Sequence, residues 1–266
     1  MTFANYRVER EAFRSLFLDD CKKRILLFTG KSGIGKSALL QTCRGDHSTS
    51  RASIGFELRN TKLDIEEILS RSSLSIGSER LPKFSQCMSV QTEKKQHISL
   101  SNVSQKGQSN SIAVTLNSPL QTELALRQSS LTYAWFDDIK NLDFPYVMVF
   151  DNFESATSEV SEWLTGTFLP RTVYCNNLRV VIAGQTVPEP GIEDWSEYHA
   201  LHELYGVKDA RDWMPVVTAL GKVIPSSHPI EWMAGTCNAL KGRPAEIMAV
   251  IEALPNAEDL PQGRKI

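Results

Sequence analysis

Nothing in the chain approaches the roughly eighteen consecutive apolar residues of a membrane-spanning helix. Its first stretch, MTFANYRVEREAFRSLF, has acidic residues early and no apolar core leading to small residues, so it does not read as a secretory signal. The expected location is cytoplasmic, with no membrane partner. Cysteine is also scarce. The five cysteines, Cys21, Cys43, Cys87, Cys175 and Cys237, are odd in number and contain no Cys-x-x-Cys pair, which argues against a disulfide framework or a zinc site. Of the five histidines only His199 and His202 lie close together, at a spacing that could share a helical face. With no third ligand nearby they read as surface or core residues. A basic excess is missing too: 29 Lys and Arg stand against 31 Asp and Glu, a net charge of −2. That balance offers no stripe for a phosphate backbone, so nucleic acid is not an expected partner. The tight basic cluster Lys22-Lys23-Arg24 precedes an apolar run and reads as a solvated turn.

What is present is ordinary in amount and ordered in arrangement. With 266 residues, 41% hydrophobic and 23% charged, the chain can bury one large α/β domain plus a helical annex. Ile25–Thr29 is a short apolar run that stops at a glycine, the pattern of a strand buried on both faces of a parallel sheet. A helix is expected from about Lys36, a second strand within Arg51–Leu58, and a helix over Leu63–Leu74 behind Asp64 as N-cap. Gln121–Leu142 reads as an amphipathic helix with Leu124, Leu131, Trp135 and Ile139 on its apolar face. Two further apolar strands, Tyr146–Phe150 and Leu178–Ala183, enclose a helical stretch over Ser155–Leu169. Strand, helix and strand in succession indicate a parallel α/β sheet with right-handed crossovers.

Two regions depart from that rhythm. Residues 78–119 are rich in Ser, Gln, Asn and Lys and look inserted. His97–Val103 and Ser111–Leu116 alternate around Gly107, so the segment is either a β-hairpin or a flexible loop. After Pro188 and Pro190 the pattern becomes helical only, over Lys208–Val223, Pro229–Leu240 and Pro244–Leu254. The expected division is a nucleotide-binding α/β domain over 1–190, a helical subdomain over 191–256 and a tail over 257–266.

Gly30-Lys31-Ser32-Gly33-Ile34-Gly35-Lys36-Ser37 fits G-x-x-x-x-G-K-[ST] and lies between an expected strand and an expected helix. Glycines let successive backbone N–H groups curl around phosphate oxygens, and the helix N-terminus adds a favourable dipole. Backbone and side chains from Ser32 through Gly33, Ile34 and Gly35 to Ala38 would cradle the phosphates. Lys36 would reach the β and γ phosphates, and the Ser37 hydroxyl would hold Mg²⁺. The carboxylate that orients the metal is expected after a buried strand, and Val147-Met148-Val149-Phe150-Asp151 supplies it. Hydrolysis needs a further group to position or deprotonate water. Directly after Asp151 stands Asn152, an amide that cannot act as a base, and Glu154 is the nearest acid, which either substitutes or only begins the next helix.

Taken together these motifs resemble the STAND class of P-loop ATPases, the signal-transducing branch near AAA+ proteins that includes NACHT and NB-ARC modules. Val8-Glu9-Arg10-Glu11 is similar to the family's leading h-G-R-E element, with Glu9 where glycine is usual, which would put Arg10 near the base or ribose. Phe150-Asp151-Asn152-Phe153-Glu154 resembles the L-D-N-x-E form of Walker B in bacterial members. Leu178–Gln185 resembles the sensor strand, with Gln185 in place of the usual arginine near the γ-phosphate. Gly242-Arg243-Pro244 resembles the G-x-P element of the helical domain, whose proline-bearing helix closes over the nucleotide, and Tyr198–Leu204 resembles the passage from sheet to helices. The resemblance implies ATP or ADP with Mg²⁺, and a switch that controls a protein effector or self-association. Asn152 and Gln185 imply slow or absent hydrolysis. Relatives usually continue into a winged helix and sensor repeats, so the chain is expected to be a fragment or one partner of a larger system. A non-hydrolysing scaffold that holds a partner through residues 78–119 is the alternative. An AAA+ loader acting on DNA fits the acidic balance less well, and a GTPase lacks its Asn-Lys-x-Asp element.

Overall fold

The computed structural model describes residues 6–18, 21–47, 52–60, 62–90, 117–191 and 195–259. Four apolar strands form its centre: β1 (Ile25–Thr29), β2 (Ser53–Glu57), β3 (Tyr146–Asp151) and β4 (Leu178–Gly184). A fifth, β5 (His199–Glu203), completes one sheet of order β2-β3-β4-β1-β5 in which every pairing is parallel. Parallel neighbours need crossover connections, and these put helices on both faces. That is why the central strands are apolar throughout rather than alternating.

The period of two divides their side chains between two cores. Ile25, Leu27, Met148, Phe150, Val180 and Ile182 face one side, with Ile68 of α3 (Ile65–Ile76) and Trp135 of α5 (Asn117–Ile139). Leu26, Phe28, Val149, Val181 and Ala183 face the other. There they meet Phe13 of α1 (Arg7–Ser15), Leu39 of α2 (Lys36–His47) and the C-terminal helices α8 (Ala210–Ala219), α9 (Pro229–Ala239) and α10 (Pro244–Glu252). Asp64 caps α3 as expected, its Oδ1 accepting from the Glu67 N–H at 2.8 Å.

Three expectations need correction. First, residues 78–90 are neither hairpin nor loop: a 3₁₀ turn over Ser78–Arg80 leads into a helix, α4 (82–90). Leu81 and Phe84 are buried, with Cys87 and Met88 packed behind them. This is a helical period that the polar residues between them obscure. The expected strands at His97–Val103 and Ser111–Leu116 lie outside the described residues, and residues 117–119 belong to α5. Secondly, Leu124 is 47% exposed, so the buried face of α5 runs through Leu131, Trp135 and Ile139 without it.

Thirdly, the chain is not helical only beyond Pro190. His199–Glu203 pairs with β1 from Ile25 to Thr29. As an edge strand covered on one flank it has no apolar run and only half-buried or exposed side chains, so its pattern is weak. His199 and His202 therefore share no helical face. His199 Nδ1 lies 2.7 Å from the Ser196 carbonyl, and His202 lies against Phe28. The expected helical stretch over Ser155–Leu169 is present in three pieces: α6 (Ser158–Trp163), a π turn over Leu164–Phe168, and α7 (Leu169–Thr172).

Candidate functional site

The loop Gly30–Ser37 joins β1 to α2. Gly35 has φ +94° and Gly33 φ +78°, conformations that glycine adopts without steric cost and that turn the backbone into a cradle. Ile34 is buried behind the loop, and its carbonyl lies 2.5 Å from the Tyr6 hydroxyl. That hydroxyl is also 2.9 Å from the Tyr205 carbonyl, so its single proton ties the loop or the chain beyond β5 to the segment before α1. The burial that makes this possible raises the Tyr6 phenol above its usual range.

Lys36 opens α2 and is 7% exposed. Its ammonium donates to the loop's own carbonyls, Gly30 at 2.6 Å and Lys31 at 3.0 Å. Burial lowers its pKa; Glu154 and Asp151 act the other way, and Arg59 lowers it further. Asp151 ends β3. Burial raises its carboxyl above the usual value, against hydrogen bonds from the Ser37 side chain and the Asn152 N–H, while Glu57 adds to the rise.

A hydroxyl and a carboxylate side by side suit Mg²⁺, which keeps phosphate and water oxygens as its remaining ligands, so Ser37 and Asp151 fit the metal expected of them. Among the described residues no three His, Cys, Asp or Glu gather as an all-protein metal cage.

Asn152 has left-handed backbone, φ 59° and ψ 50°, and is 4% exposed. Its Nδ2 donates to both carboxylate oxygens of Glu57 at 2.8 and 3.0 Å, and its Oδ1 accepts from Arg59 Nη2 at 2.7 Å. Glu57 and Arg59 escaped the sequence reading because nothing in their neighbourhood marks them. It is the register, which sets Glu57 opposite Asp151, that delivers them.

Glu154 accepts from the Gln185 N–H at 2.7 Å and from Gln185 Nε2 at 3.3 Å. Burial pushes its carboxyl up, but these hydrogen bonds, its own backbone N–H and Lys36 together leave it below the usual value. Gln185 is further fixed where the Thr29 hydroxyl donates to its carbonyl at 3.0 Å.

Between this loop and the C-terminal helices lies a cavity of about 340 Å³, a volume within the range of small-molecule sites. Ser32, Gly33, Gly35, Lys36, Ser37 and Ala38 form its floor, and Arg59, Asn152 and Glu154 its polar end. Trp213, Pro244 and Met248 close it from the helical side. Pro244 thus lines the same cavity as the loop, and α10 touches the loop directly: the Ala245 N–H reaches the Gly33 carbonyl at 3.4 Å. Gly242 seats the start of α10 against the chain beyond β5. At φ +69°, a Cβ there would lie 2.8 Å from a Gly206 backbone atom, while the Gly242 carbonyl accepts from Val207 at 2.8 Å. Arg10 is not brought to this cavity. It lies on α1 and lines a second one with Arg7, Arg14 and His202; Tyr6 is the residue of that segment that touches the loop.

Comparisons with known proteins define a class by fold. No family model matches the chain, and no curated protein matches it in sequence. The Walker-type ATPase PABY2304 of Pyrococcus abyssi is similar in structure, with TM-score 0.52 and 15% identity, over 94% of this chain and 67% of that one. CDC6P from Pyrobaculum aerophilum is similar at TM-score 0.51 and 11% identity, over 94% of this chain and 61% of that one. A Drosophila origin recognition complex bound to DNA reaches TM-score 0.38 at 12% identity, over 75% of this chain and 93% of that one, too slight a likeness to bear on what this chain binds. The chain has the fold of the Walker-type P-loop ATPases: a parallel five-stranded sheet flanked by helices, with a helical portion at its C-terminal end. No described helix is long and apolar enough to cross a membrane.

Proposed function

We propose that the cavity holds ATP or ADP with Mg²⁺, and that the state of the nucleotide sets how α10 meets the phosphate loop. The protein is then a switch that controls a protein effector or its own self-association, as the STAND resemblance implies. The observation that carries this reading is the position of α10. The Ala245 N–H reaches Gly33, inside the loop that would wrap the phosphates, so a ligand on one side of that hydrogen bond acts on the other. A ligand shifts such an equilibrium only by its difference in affinity for the two arrangements. A terminal phosphate present in ATP and absent in ADP supplies such a difference.

Slow or absent hydrolysis follows from the acids around the loop. Asn152 offers no base, and Glu154 is held by Gln185 and kept below its usual pKa, which makes it a weak proton acceptor. When bound, Mg²⁺ would supply charge neutralisation at the phosphates; Ser37 and Asp151 would hold it, Lys36 would leave the Gly30 and Lys31 carbonyls for phosphate oxygens, and Trp213 and Met248 would shelter the base. The net charge of −2 supports a protein partner over nucleic acid.

The test is to denature the purified protein and identify any nucleotide released, then to measure MgATP and MgADP binding by the protein and by Lys36→Ala. Adenine nucleotide released from the protein, and binding lost in the variant, is the expected result. A protein that carries no nucleotide and binds none at millimolar concentration is a scaffold built on this fold.

A further inference from the structure

Resting on the reading that the cavity takes an adenine nucleotide, we propose that Arg59 is the residue that distinguishes triphosphate from diphosphate, meeting the terminal phosphate from the end of β2, and that Asn152 is its positioning residue.

The argument begins with the sheet. The parallel register places Glu57 opposite Asp151, so the chain leaving β2 passes beside the tip that carries the expected metal carboxylate. Two residues on, Arg59 lines the polar end of the cavity together with Lys36 and Ser37. Its guanidinium is not left to wander. The bond from Nη2 to Asn152 Oδ1, 2.7 Å long, uses one of five N–H donors in a planar fork whose geometry matches phosphate.

Asn152 is well suited to hold it. It is buried, its backbone is fixed in the left-handed region, and its N–H donates to Asp151 Oδ1 at 2.9 Å. Its NH₂ group faces both oxygens of Glu57, an acceptor-only carboxylate, which leaves the amide oxygen for Arg59. The opposite amide orientation would set donors against the guanidinium and oxygen against the carboxylate. The Arg59 N–H donates in turn to Glu57 Oε1 at 3.2 Å, so the β2 end and Asn152 form a closed set of hydrogen bonds.

Charge completes the case. Arg59 and Lys36 are two cations lining one cavity, so their charges repel. A phosphate oxygen between them relieves that repulsion. Gln185, at the end of β4, is neutral and is engaged by Glu154, so it brings no positive charge to the same place.

The experiment measures MgATP and MgADP affinities of the full chain by titration calorimetry for the protein, Arg59→Ala, Arg59→Lys, Asn152→Gly and Lys36→Ala. A charge-assisted hydrogen bond to phosphate corresponds to roughly a 10- to 100-fold change in affinity. Arg59→Ala is expected to lose about that much for MgATP and to stay within about twofold for MgADP. Arg59→Lys should recover part of the loss, because it keeps the charge and loses the fork. Asn152→Gly keeps the left-handed backbone and removes only the amide, and should reduce the ATP to ADP preference by less than Arg59→Ala. Arg59 is exposed, so an unchanged thermal midpoint should accompany the altered preference. Equal losses for both nucleotides, or none, in Arg59→Ala while Lys36→Ala loses both would overturn the role of Arg59 and leave the nucleotide reading standing. No binding by the unaltered protein would overturn the nucleotide reading itself, and the role of Arg59 with it.

Discussion

One wall of the cavity consists of strand tips and a glycine turn carrying Lys36, Ser37, Arg59, Asn152 and Glu154; the wall opposite consists of helix surfaces carrying Trp213, Pro244 and Met248. The first wall is anchored in a sheet buried on both faces, and its polar atoms are linked by hydrogen bonds of ordinary or short length, such as 2.6 Å from Lys36 to Gly30 and 2.7 Å from Arg59 to Asn152. The second wall meets it through the longer Ala245 to Gly33 bond at 3.4 Å, and is itself fastened to the chain beyond β5 by the backbone approach of Gly206 and Gly242. A rigid, charged surface is suited to reading phosphates, and an apolar helical surface tied to the loop by that long bond is suited to moving when they change. The difference between the walls is therefore a division of labour.

The comparison breaks most severely at Trp213. Its side chain is 1% exposed and its Nε1–H donates to the Val207 carbonyl at 3.0 Å, so Trp213→Ala removes both a core and a latch. A loss of about 3–5 kcal/mol is expected in denaturant unfolding. Lys36→Ala attacks the other wall with little effect on folding; MgATP affinity should fall at least about 100-fold, roughly 2.7 kcal/mol. Gly242→Ala leaves the phosphate wall untouched and separates the helical one, since its positive φ and its contact with Gly206 both oppose a Cβ. A cost of about 1–2 kcal/mol is expected in thermal unfolding, with nucleotide affinity reduced although no phosphate contact is altered.

Asp151→Asn should give the smallest change in stability, and of opposite sign. Burial holds the folded carboxyl above the ordinary aspartate value of 3.8, so folding disfavours the ionised form; the penalty is complete at neutral pH and disappears as pH falls below that value. The amide should raise the thermal midpoint slightly at pH 7 and not at pH 3, while removing the dependence of nucleotide affinity on Mg²⁺.

The phosphate loop was legible in sequence because its chemistry is contiguous: glycines, lysine and serine sit at fixed spacing between an apolar run and a helix. Asp151 was legible for the same reason, at the end of the most apolar strand. Glu57 and Arg59 were not, because their meaning comes from strand register, which joins residues some ninety positions apart, as in the 2.7 Å bond between Arg59 and Asn152. Nor was β5, whose half-exposed edge position leaves no hydrophobic signature. Tyr6 acts through a hydroxyl that meets two backbone carbonyls, and no pattern marks such a contact.

The central claim is that nucleotide state alters the contact between the two walls. Hydrogen exchange at the Ala245 amide and along α10, compared with MgATP, with MgADP and with neither, tests it most directly. The account predicts that protection of α10 differs between ATP and ADP while protection of β1 and β3 stays the same. Equal protection of α10 with both nucleotides, each shown to be bound, would contradict it.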